Sequence, residues 1–251
     1  MLPPASAGIT KGNNMAKPTG FILYEGASSL DGEPITVIAT LSTNNRKTGK
    51  MVQVWILRSD IDPIEAFKSK ADYSICGNCP QRWAVGGACY VNIGQAPLAI
   101  YRAYKRGSYT VFDPALHGDQ IAKRKIRLGA YGDPAAVPFE VLRDFAALGI
   151  GHTGYTHQYN HKAFDRRYLD LCMVSADTLA VAQKVKRDNA RSFQVLATDA
   201  PTPKDSIECL SDSKGISCLD CGLCNGKSDA PSIYIRVHGT RKANFLNNKR
   251  V

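Results

Sequence analysis

Strand-like and helix-like segments alternate along the second half of the chain, from residue 124 onward. Such alternation predicts βαβ units, whose strands lie parallel in one sheet. The predicted strands are KIRLGAYGD, GHTGYTHQ, DLCMVSAD, SFQVLATD and, at 232–239, SIYIRVHG. The predicted helices between them are PAAVPFEVLRDFAALG, HKAFDRRYL and TLAVAQKVKRDNA.

The first half of the chain begins with a predicted hairpin, in which the polar turn TNNRKTGK joins the strands ITVIATLS and MVQVWILRS. A helix follows, with Asp62 as its N-cap and Pro63 at its first position. A second helix spans APLAIYRAYKRG. We interpret residues 1–30 as a flexible leader and residues 31–251 as a single α/β domain with Cys-rich loops at 72–92 and 205–230.

Basic residues outnumber acidic ones. Lys and Arg total 32 and Asp and Glu total 22, which gives a net charge of +10. An excess of this size favours a polyanionic partner such as nucleic acid, although a solvated basic face would have the same composition. No apolar run approaches the roughly 18 residues of a membrane helix, and the N-terminus lacks the charged and apolar regions of a signal peptide. We therefore expect a cytoplasmic protein that binds nucleic acid and no membrane.

Seven of the eight cysteines fall into two clusters, a distribution that indicates metal binding rather than disulfides in a cytoplasmic chain. In the C-terminal cluster, Cys218, Cys221 and Cys224 follow a C-x2-C-x2-C spacing, and Cys209 lies nine residues upstream. Bacterial ferredoxins use this spacing to wrap thiolates around an iron–sulfur cluster. Four thiolates also satisfy tetrahedral zinc. The three consecutive thiols favour an iron–sulfur cluster of the 4Fe-4S type, with zinc as the alternative.

The N-terminal cluster consists of Cys76, Cys79 and Cys89 and lacks a local fourth ligand. Cys172, a histidine or an exogenous molecule could complete it, either as a cluster with an open iron or as a zinc loop with a distant histidine. Cys172 stands alone in a predicted strand, and because free cysteine is commonly buried we interpret it as a core residue. The predicted fold is therefore α/β, a partial (β/α) barrel-like parallel sheet with two Cys-rich metal-binding insertions.

Polar residues stand where two of the predicted parallel strands end, which is where α/β folds carry their sites. The two-residue period of a strand places Arg127, Tyr131 and Asp133 on one face, and Thr153, Tyr155 and His157 on one face of the next strand. We predict that five of these residues line one pocket together with the N-terminal cysteine loop and are the candidate catalytic residues: Arg127, Tyr131, Asp133, Tyr155 and His157. The alternative is a structural hydrogen-bonded network, for example between Arg127 and Asp133.

Simpler roles are open to the carboxylates at the strand ends. Asp133 precedes Pro134 and can initiate a helix, and Asp177 can be the N-cap of the helix that follows it. His157 lies in HTGYTHQYNH, which concentrates three histidines and two tyrosines, and its imidazole could transfer protons or ligate metal.

Several blocks of the sequence resemble a family of phage and plasmid proteins sometimes called "gene product 88". The resemblance covers roughly residues 30–240 and lies in SICGNCP…GGACYVNIGQAPLAIYRAYKRG, RLGAYGDPAAVP, HTGYTHQ and C…CLDCGLCNG. It implies a mobile-element setting. Some plasmid members are labelled rolling-circle replication proteins, but this chain lacks the His-hydrophobe-His motif that such initiators combine with a catalytic tyrosine.

A fainter similarity is to radical S-adenosylmethionine enzymes, which share partial (β/α) barrels and often carry further clusters in Cys-rich C-terminal extensions. Their C-x3-C-x2-C motif is absent here, because Cys76, Cys79 and Cys89 follow a different spacing.

Three functions are compatible with these features. The first is an iron–sulfur protein of a phage or plasmid that acts on nucleic acid or a nucleotide-like substrate. The second is a zinc-stabilised nucleic-acid-binding protein without catalysis. The third is a replication initiator that nicks DNA with a tyrosine, for which Tyr155 is the candidate.

Overall fold

The computed structural model describes residues 18–226 and 229–248. In these ranges the strands are β1 (Gly20–Ala27), β2 (Pro34–Thr40), β3 (Val52–Arg58), β4 (Thr110–Val111), β5 (Lys125–Tyr131), β6 (Gly151–Thr153), β7 (Tyr155–Thr156), β8 (Met173–Ser175), β9 (Ser192–Leu196), β10 (Ser206–Glu208) and β11 (Ser232–Arg236). The α-helices are α1 (Pro63–Lys68), α2 (Tyr73–Cys76), α3 (Ala96–Lys105), α4 (Pro114–His117), α5 (Phe139–Ala147), α6 (Leu179–Arg187), α7 (Leu210–Ser213), α8 (Cys218–Cys221) and α9 (Lys242–Asn248). Short 3-10 helices lie at Trp83–Val85, Gly118–Gln120, Pro134–Ala136, Gln158–Asn160 and Arg166–Asp170.

The strands are divided between two sheets, whereas the sequence predicts one. The first sheet has the order β4-β1-β2-β3-β5-β6, in which β1, β2 and β3 are antiparallel neighbours and the other pairs are parallel. The second has the order β10-β11-β9-β8-β7, and its pairs are parallel. The α/β class and the mostly parallel strand arrangement are therefore confirmed, and the β2–β3 pair confirms the predicted hairpin.

A single residue, Gly154, separates β6 of the first sheet from β7 of the second. Its N–H donates to the Cys224 carbonyl at 2.9 Å, and its own carbonyl accepts from the Met173 N–H at 3.0 Å. A Cβ atom at this position would lie 2.7 Å from Sγ of Cys172, so the close packing requires glycine. The predicted strand GHTGYTHQ is thus broken in two, and the break is tied to the C-terminal cysteine segment.

The main apolar core packs on the first sheet. It contains buried side chains from β2, β3, β5 and α5, among them Ile35, Val54, Ile126 and Leu142. Cys172 belongs to this core with an exposed fraction of 1%, which confirms its interpretation as a core residue. A smaller cluster on the second sheet contains Met173, Cys209, Cys224, Ile233 and Ile235.

Two helices begin as their sequences predict. The carboxylate of Asp62 accepts from the N–H groups of Ile64 and Glu65 at 2.8 and 3.0 Å and caps α1. Helix α3 falls within APLAIYRAYKRG and has Pro97 in its first turn. These agreements arise because both features depend on neighbouring residues alone.

Residues 20–27 correct the predicted leader. They form β1, which pairs antiparallel with β2 from Gly20 opposite Thr40 to Ala27 opposite Pro34. Phe21 in this strand is fully buried. Because β1 satisfies its backbone on β2 and contributes to the core, the domain includes this segment and does not begin at residue 31. Residues 1–17 of the predicted leader lie outside the described residues.

Two predicted helices are shorter than expected. PAAVPFEVLRDFAALG splits into the 3-10 turn Pro134–Ala136 and helix α5, which begins after Pro138. The split follows from proline, which lacks the N–H that a continuous helix needs at this point. In HKAFDRRYL the only helical residues belong to the 3-10 helix Arg166–Asp170, which extends beyond the predicted end. Across residues 18–226 and 229–248, every helix is too short or too polar to cross a membrane.

A thiol-lined cavity as the candidate functional site

A cavity of about 880 Å³ lies where the two sheets meet the two Cys-rich segments. Its wall includes the β2–β3 turn, the ends of β5 and β7, and the loops that carry the cysteines. Seven cysteines line it: Cys76, Cys79, Cys89, Cys209, Cys218, Cys221 and Cys224. A volume of this size accommodates a small-molecule ligand.

The C-terminal thiols, Cys209, Cys218, Cys221 and Cys224, are positioned by short helical turns. Cys209 precedes α7 and is anchored on the second sheet by a bond from its N–H to the Tyr234 carbonyl at 2.8 Å. Helix α8 carries Cys218 and Cys221, and the chain then reverses at residue 222, whose φ of +66° favours glycine. This reversal brings Cys224 back toward the other three thiols.

The C-terminal thiols interact with one another. Burial raises the pKa of Cys224 to about 11, and Cys209, Cys218 and Cys221 add to the rise. Burial also raises the pKa of Cys218, while Arg127 and Lys47 oppose that rise. The four sulfur atoms therefore share one electrostatic environment, with positive groups beside it.

The N-terminal thiols, Cys76, Cys79 and Cys89, are held by the loop after α2. The N–H of Cys79 donates to the Cys76 carbonyl at 3.1 Å, and the N–H of Cys89 donates to the Gln81 carbonyl at 2.8 Å. Burial raises the pKa of Cys76 well above its usual range, and the neighbouring Cys79 and Cys89 raise it further. These three thiols also form one interacting group.

Within the described residues, no three Cys, His, Asp or Glu side chains form a group that could hold a metal ion. Metal binding by either thiol group therefore stays a prediction.

The five residues predicted at the strand ends all line the cavity: Arg127, Tyr131, Asp133, Tyr155 and His157. The N-terminal thiols line the same cavity, and Tyr131 and His157 lie beside them. Arg127 and Tyr155 lie instead beside the C-terminal thiols. Their catalytic roles stay predictions.

Arg127 contacts two tyrosines. Its Nη2 lies 3.4 Å from the Tyr90 hydroxyl, and its guanidinium stands 5.5 Å from the centre of the Tyr155 ring. Although burial opposes the charge, Tyr90, Tyr155 and Cys218 raise the pKa of Arg127 above its usual value. These contacts differ from the alternative network between Arg127 and Asp133, because the carboxylate of Asp133 is bonded elsewhere.

Asp133 is buried and uses both carboxylate oxygens. Oδ1 accepts from the Ala135 N–H at 3.0 Å and caps the 3-10 turn, as its position before Pro134 suggests. Oδ2 accepts from the His157 N–H at 2.7 Å and from Nε2 of Gln158 at 3.1 Å. Asp133 thereby fixes the place of His157 relative to the end of β5.

His157 faces the N-terminal thiols and a carboxylate. Its Nε2 lies 3.6 Å from Oδ2 of Asp177. Burial alone would lower the pKa of His157, but Cys79 and Asp177 raise it well above its ordinary value of 6.5. The N-cap role that is open to Asp177 in the sequence is taken by the next residue, because the side chain of Thr178 caps α6 and Asp177 lines the cavity.

Tyr131 and Tyr155 are neutral phenols. Tyr131 lies beside the N-terminal thiols and Tyr155 beside the C-terminal thiols. Burial raises the pKa of Tyr131 well above its usual value, and Cys76 adds to the rise. Burial likewise raises the pKa of Tyr155, which hydrogen-bonds Cys224. Neither environment favours the phenolate that a DNA-nicking tyrosine forms as it attacks.

Three residues at or beside the cavity are missing from the predicted site. Two of them line the cavity: Thr153 carries a buried hydroxyl, and Tyr90 contacts Arg127. The third, Gln158, does not line the cavity but holds the N-terminal cysteine loop by hydrogen bonds. Thr153 was on the same predicted face as Tyr155 and could have been included by that alternation. Gln158 lies on the opposite face of the predicted strand, and its position results from the 3-10 helix that begins at this residue.

The fold and the cavity define an α/β protein with two groups of thiols on one internal ligand-sized space. Comparison with protein-family models, with curated proteins and with solved structures finds no match.

Proposed function

We propose that the protein is an iron–sulfur protein of a phage or plasmid and that the thiol-lined cavity binds a nucleotide-like substrate or a nucleotide of a nucleic acid. The observation that carries the proposal is that seven thiols from two distant segments, 76–89 and 209–224, line the same cavity. In this proposal the two sheets form the wall of a partial barrel, and the Cys-rich segments are its metal-binding insertions.

The C-terminal thiols would hold a 4Fe-4S cluster. Four thiolate donors suit iron–sulfur chemistry, and a cluster of thiolates needs positive charge nearby to offset its burial. Arg127 and Lys47 supply such charge beside Cys218. Arg191 supplies it beside Cys224 and is anchored by a bond from Nη1 to Oδ1 of Asn225 at 2.9 Å.

The N-terminal thiols would hold a second cluster through three cysteines. Such a cluster would supply one-electron transfer, and its fourth ligand would have to come from another group, such as a bound ligand. His157 lies beside Cys79 and can hold or release a proton at Nε2, where Asp177 stabilises the protonated ring. Tyr131 lines the cavity and lies beside Cys76.

A nucleotide-like ligand is supported by an aromatic pair at the cavity. The ring of Tyr90 is 66% exposed and stacks on His238, with ring centres 6.3 Å apart and planes inclined by 28°. Both residues line the cavity. Exposed aromatic faces of this kind stack on nucleobases.

Nucleic-acid binding is supported by basic residues near the cavity. Lys47 lines it, and Arg46 and Lys50 are exposed on the same β2–β3 turn. This turn contacts the C-terminal cysteine segment, because the N–H of Cys218 donates to the Lys47 carbonyl at 2.8 Å. Zinc in place of iron–sulfur is the second candidate, since four thiolates also satisfy zinc.

Anaerobic purification followed by visible absorption and by iron, sulfide and zinc analysis tests the proposal. We expect coloured protein that contains iron and sulfide. Cys221→Ser should lose the metal of the C-terminal thiols and Cys79→Ser that of the N-terminal thiols, whereas the core variant Cys172→Ala should keep both. Colourless protein with zinc would establish the zinc alternative, and full iron content in Cys221→Ser would refute the assignment of ligands.

A further inference from the structure

Arg127 and Thr153 stand side by side in the cavity wall. We propose that they form an anion subsite, which binds a phosphate or carboxylate group of the cavity ligand. The inference rests on the proposed role of the cavity as a ligand site and does not depend on which metal the thiols hold.

The two residues are neighbours across a strand pair. β5 and β6 are parallel, and Arg127 lies directly opposite Thr153 in their register. Directly paired residues of adjacent strands project to the same face of a sheet, about 4.8 Å apart. Both side chains line the cavity, so that face is the one turned toward the ligand space.

Arg127 has unused capacity to bind an anion. Among the described residues it takes part in no salt bridge with a carboxylate. Its interactions there are the long bond to Tyr90, the contact with the Tyr155 ring and the electrostatic attraction to Cys218. A guanidinium carries five N–H donors in a planar fork that matches the oxygens of phosphate and carboxylate. A guanidinium charge in the wall of a cavity is expected to have an anionic partner. The cavity is the space that can hold this partner.

Thr153 is an independent indication of the same ligand. Its exposed fraction is 2%, and its Oγ1 has no hydrogen-bond partner within the described residues. Buried hydroxyl groups are ordinarily hydrogen-bonded, because leaving one unpaired costs stability. An oxyanion held by Arg127 would accept the missing bond from this hydroxyl.

The competing explanation for Arg127 is that it serves only as a counter-charge to the C-terminal thiols, since it interacts with Cys218. That explanation leaves the unpaired hydroxyl of Thr153 without a role. The two explanations differ in what Thr153→Val does: a counter-charge role predicts no effect of this variant on anion binding, whereas the subsite requires one.

Isothermal titration calorimetry of the full-length, anaerobically purified protein tests the subsite. Inorganic phosphate and acetate are the two probes, each titrated at constant ionic strength against chloride. Arg127→Met should weaken binding of the preferred anion about tenfold or more, because a charged hydrogen-bond donor is lost. Thr153→Val, which keeps the shape of the side chain, should weaken it about threefold to tenfold. Arg102→Met removes an exposed charge outside the cavity wall and should leave the affinity unchanged.

Thermal unfolding without added anion supplies the second readout. Thr153→Val should melt at or above the temperature of the original protein, because an unpaired hydroxyl is replaced by a methyl group. Absence of binding for both probes, or unchanged affinity in Arg127→Met or in Thr153→Val, overturns the inference.

Iron and sulfide are measured on the same samples. In the protein without substitutions, absence of anion binding at full iron content refutes the subsite alone, and anion binding without iron refutes the iron–sulfur proposal alone.

Discussion

The side-chain amide of Gln158 joins the second half of the chain to Cys76. Its Nε2 donates to the Cys76 carbonyl at 2.8 Å, and its Oε1 accepts from the Asn78 N–H at 3.0 Å. The same Nε2 lies 3.1 Å from Oδ2 of Asp133. Gln158 is fully buried, so one side chain sets the position of the N-terminal cysteine loop relative to the end of β5.

Gln158→Leu should destabilise the protein by about 3 kcal/mol, because several buried polar groups lose their partners at once. Urea unfolding monitored by circular dichroism measures the change in the free energy of unfolding. The matched control is Gln95→Leu, an exposed glutamine whose replacement should change stability by less than about 0.5 kcal/mol. Equal stabilities for the two variants would show that the hydrogen bonds of Gln158 do not stabilise the protein.

Gly154→Ala should cost about 2 kcal/mol of stability, because the new Cβ would lie 2.7 Å from Sγ of Cys172. The cost should shrink by at least about 0.5 kcal/mol when Cys172 is replaced by alanine, since the two changes affect one contact. A double-mutant cycle in urea measures this coupling. Additive effects of the two substitutions would mean that the thiol does not restrict this position.

His152 should make stability depend on pH. Burial lowers the pKa of His152 below its ordinary value of 6.5, opposed by a hydrogen bond with the backbone of Leu171. Because the folded pKa lies below the unfolded one, the contribution to stability is present above about pH 6.5 and is lost as the pH falls toward the folded pKa. The slope contributed by this group is at most about 1.4 kcal/mol per pH unit.

The measurement compares the original protein with His152→Met in urea at several values between about pH 7.5 and about pH 5.5. The difference in stability between the two proteins is used because Asp72 contributes to the pH dependence of both, with the opposite sign. Burial raises the pKa of Asp72 to about 6, so its contribution is lost as the pH rises through that value. The stability difference should shift in favour of His152→Met as the pH falls, and a difference that stays constant with pH would contradict the prediction.

Nucleic-acid binding should weaken steeply with salt, because contacts with phosphates release counterions. Filter binding at several salt concentrations gives the slope. Arg46→Gln, on the exposed β2–β3 turn beside the cavity, should reduce that slope by about one. Arg143→Gln is the control, because this exposed arginine is paired with Asp144. No binding at low salt would rule out a nucleic-acid partner. Equal slopes for both variants would show that the β2–β3 turn does not contact the phosphates.

Local sequence signals predicted much of the scaffold. The cap of α1 at Asp62, the β2–β3 hairpin and the strand β5 depend on residues close to one another in the chain, and the structure has all three. The grouping of Arg127, Tyr131 and His157 on one cavity was also predictable. Alternation within a strand and the common polarity of parallel strands are enough to bring such residues to one edge.

The sequence by itself determined the α/β class, the two groups of cysteines and the polar strand ends, because each depends on short-range periodicity or spacing. Tertiary structure alone decided that β1 joins the first sheet, that Gly154 divides the strand after β6, and that Asp177 turns to His157. It also decided that Gln158 holds the N-terminal cysteine loop. These features depend on groups dozens of residues apart, whose contacts form only when the buried polar atoms of the folded chain must find partners.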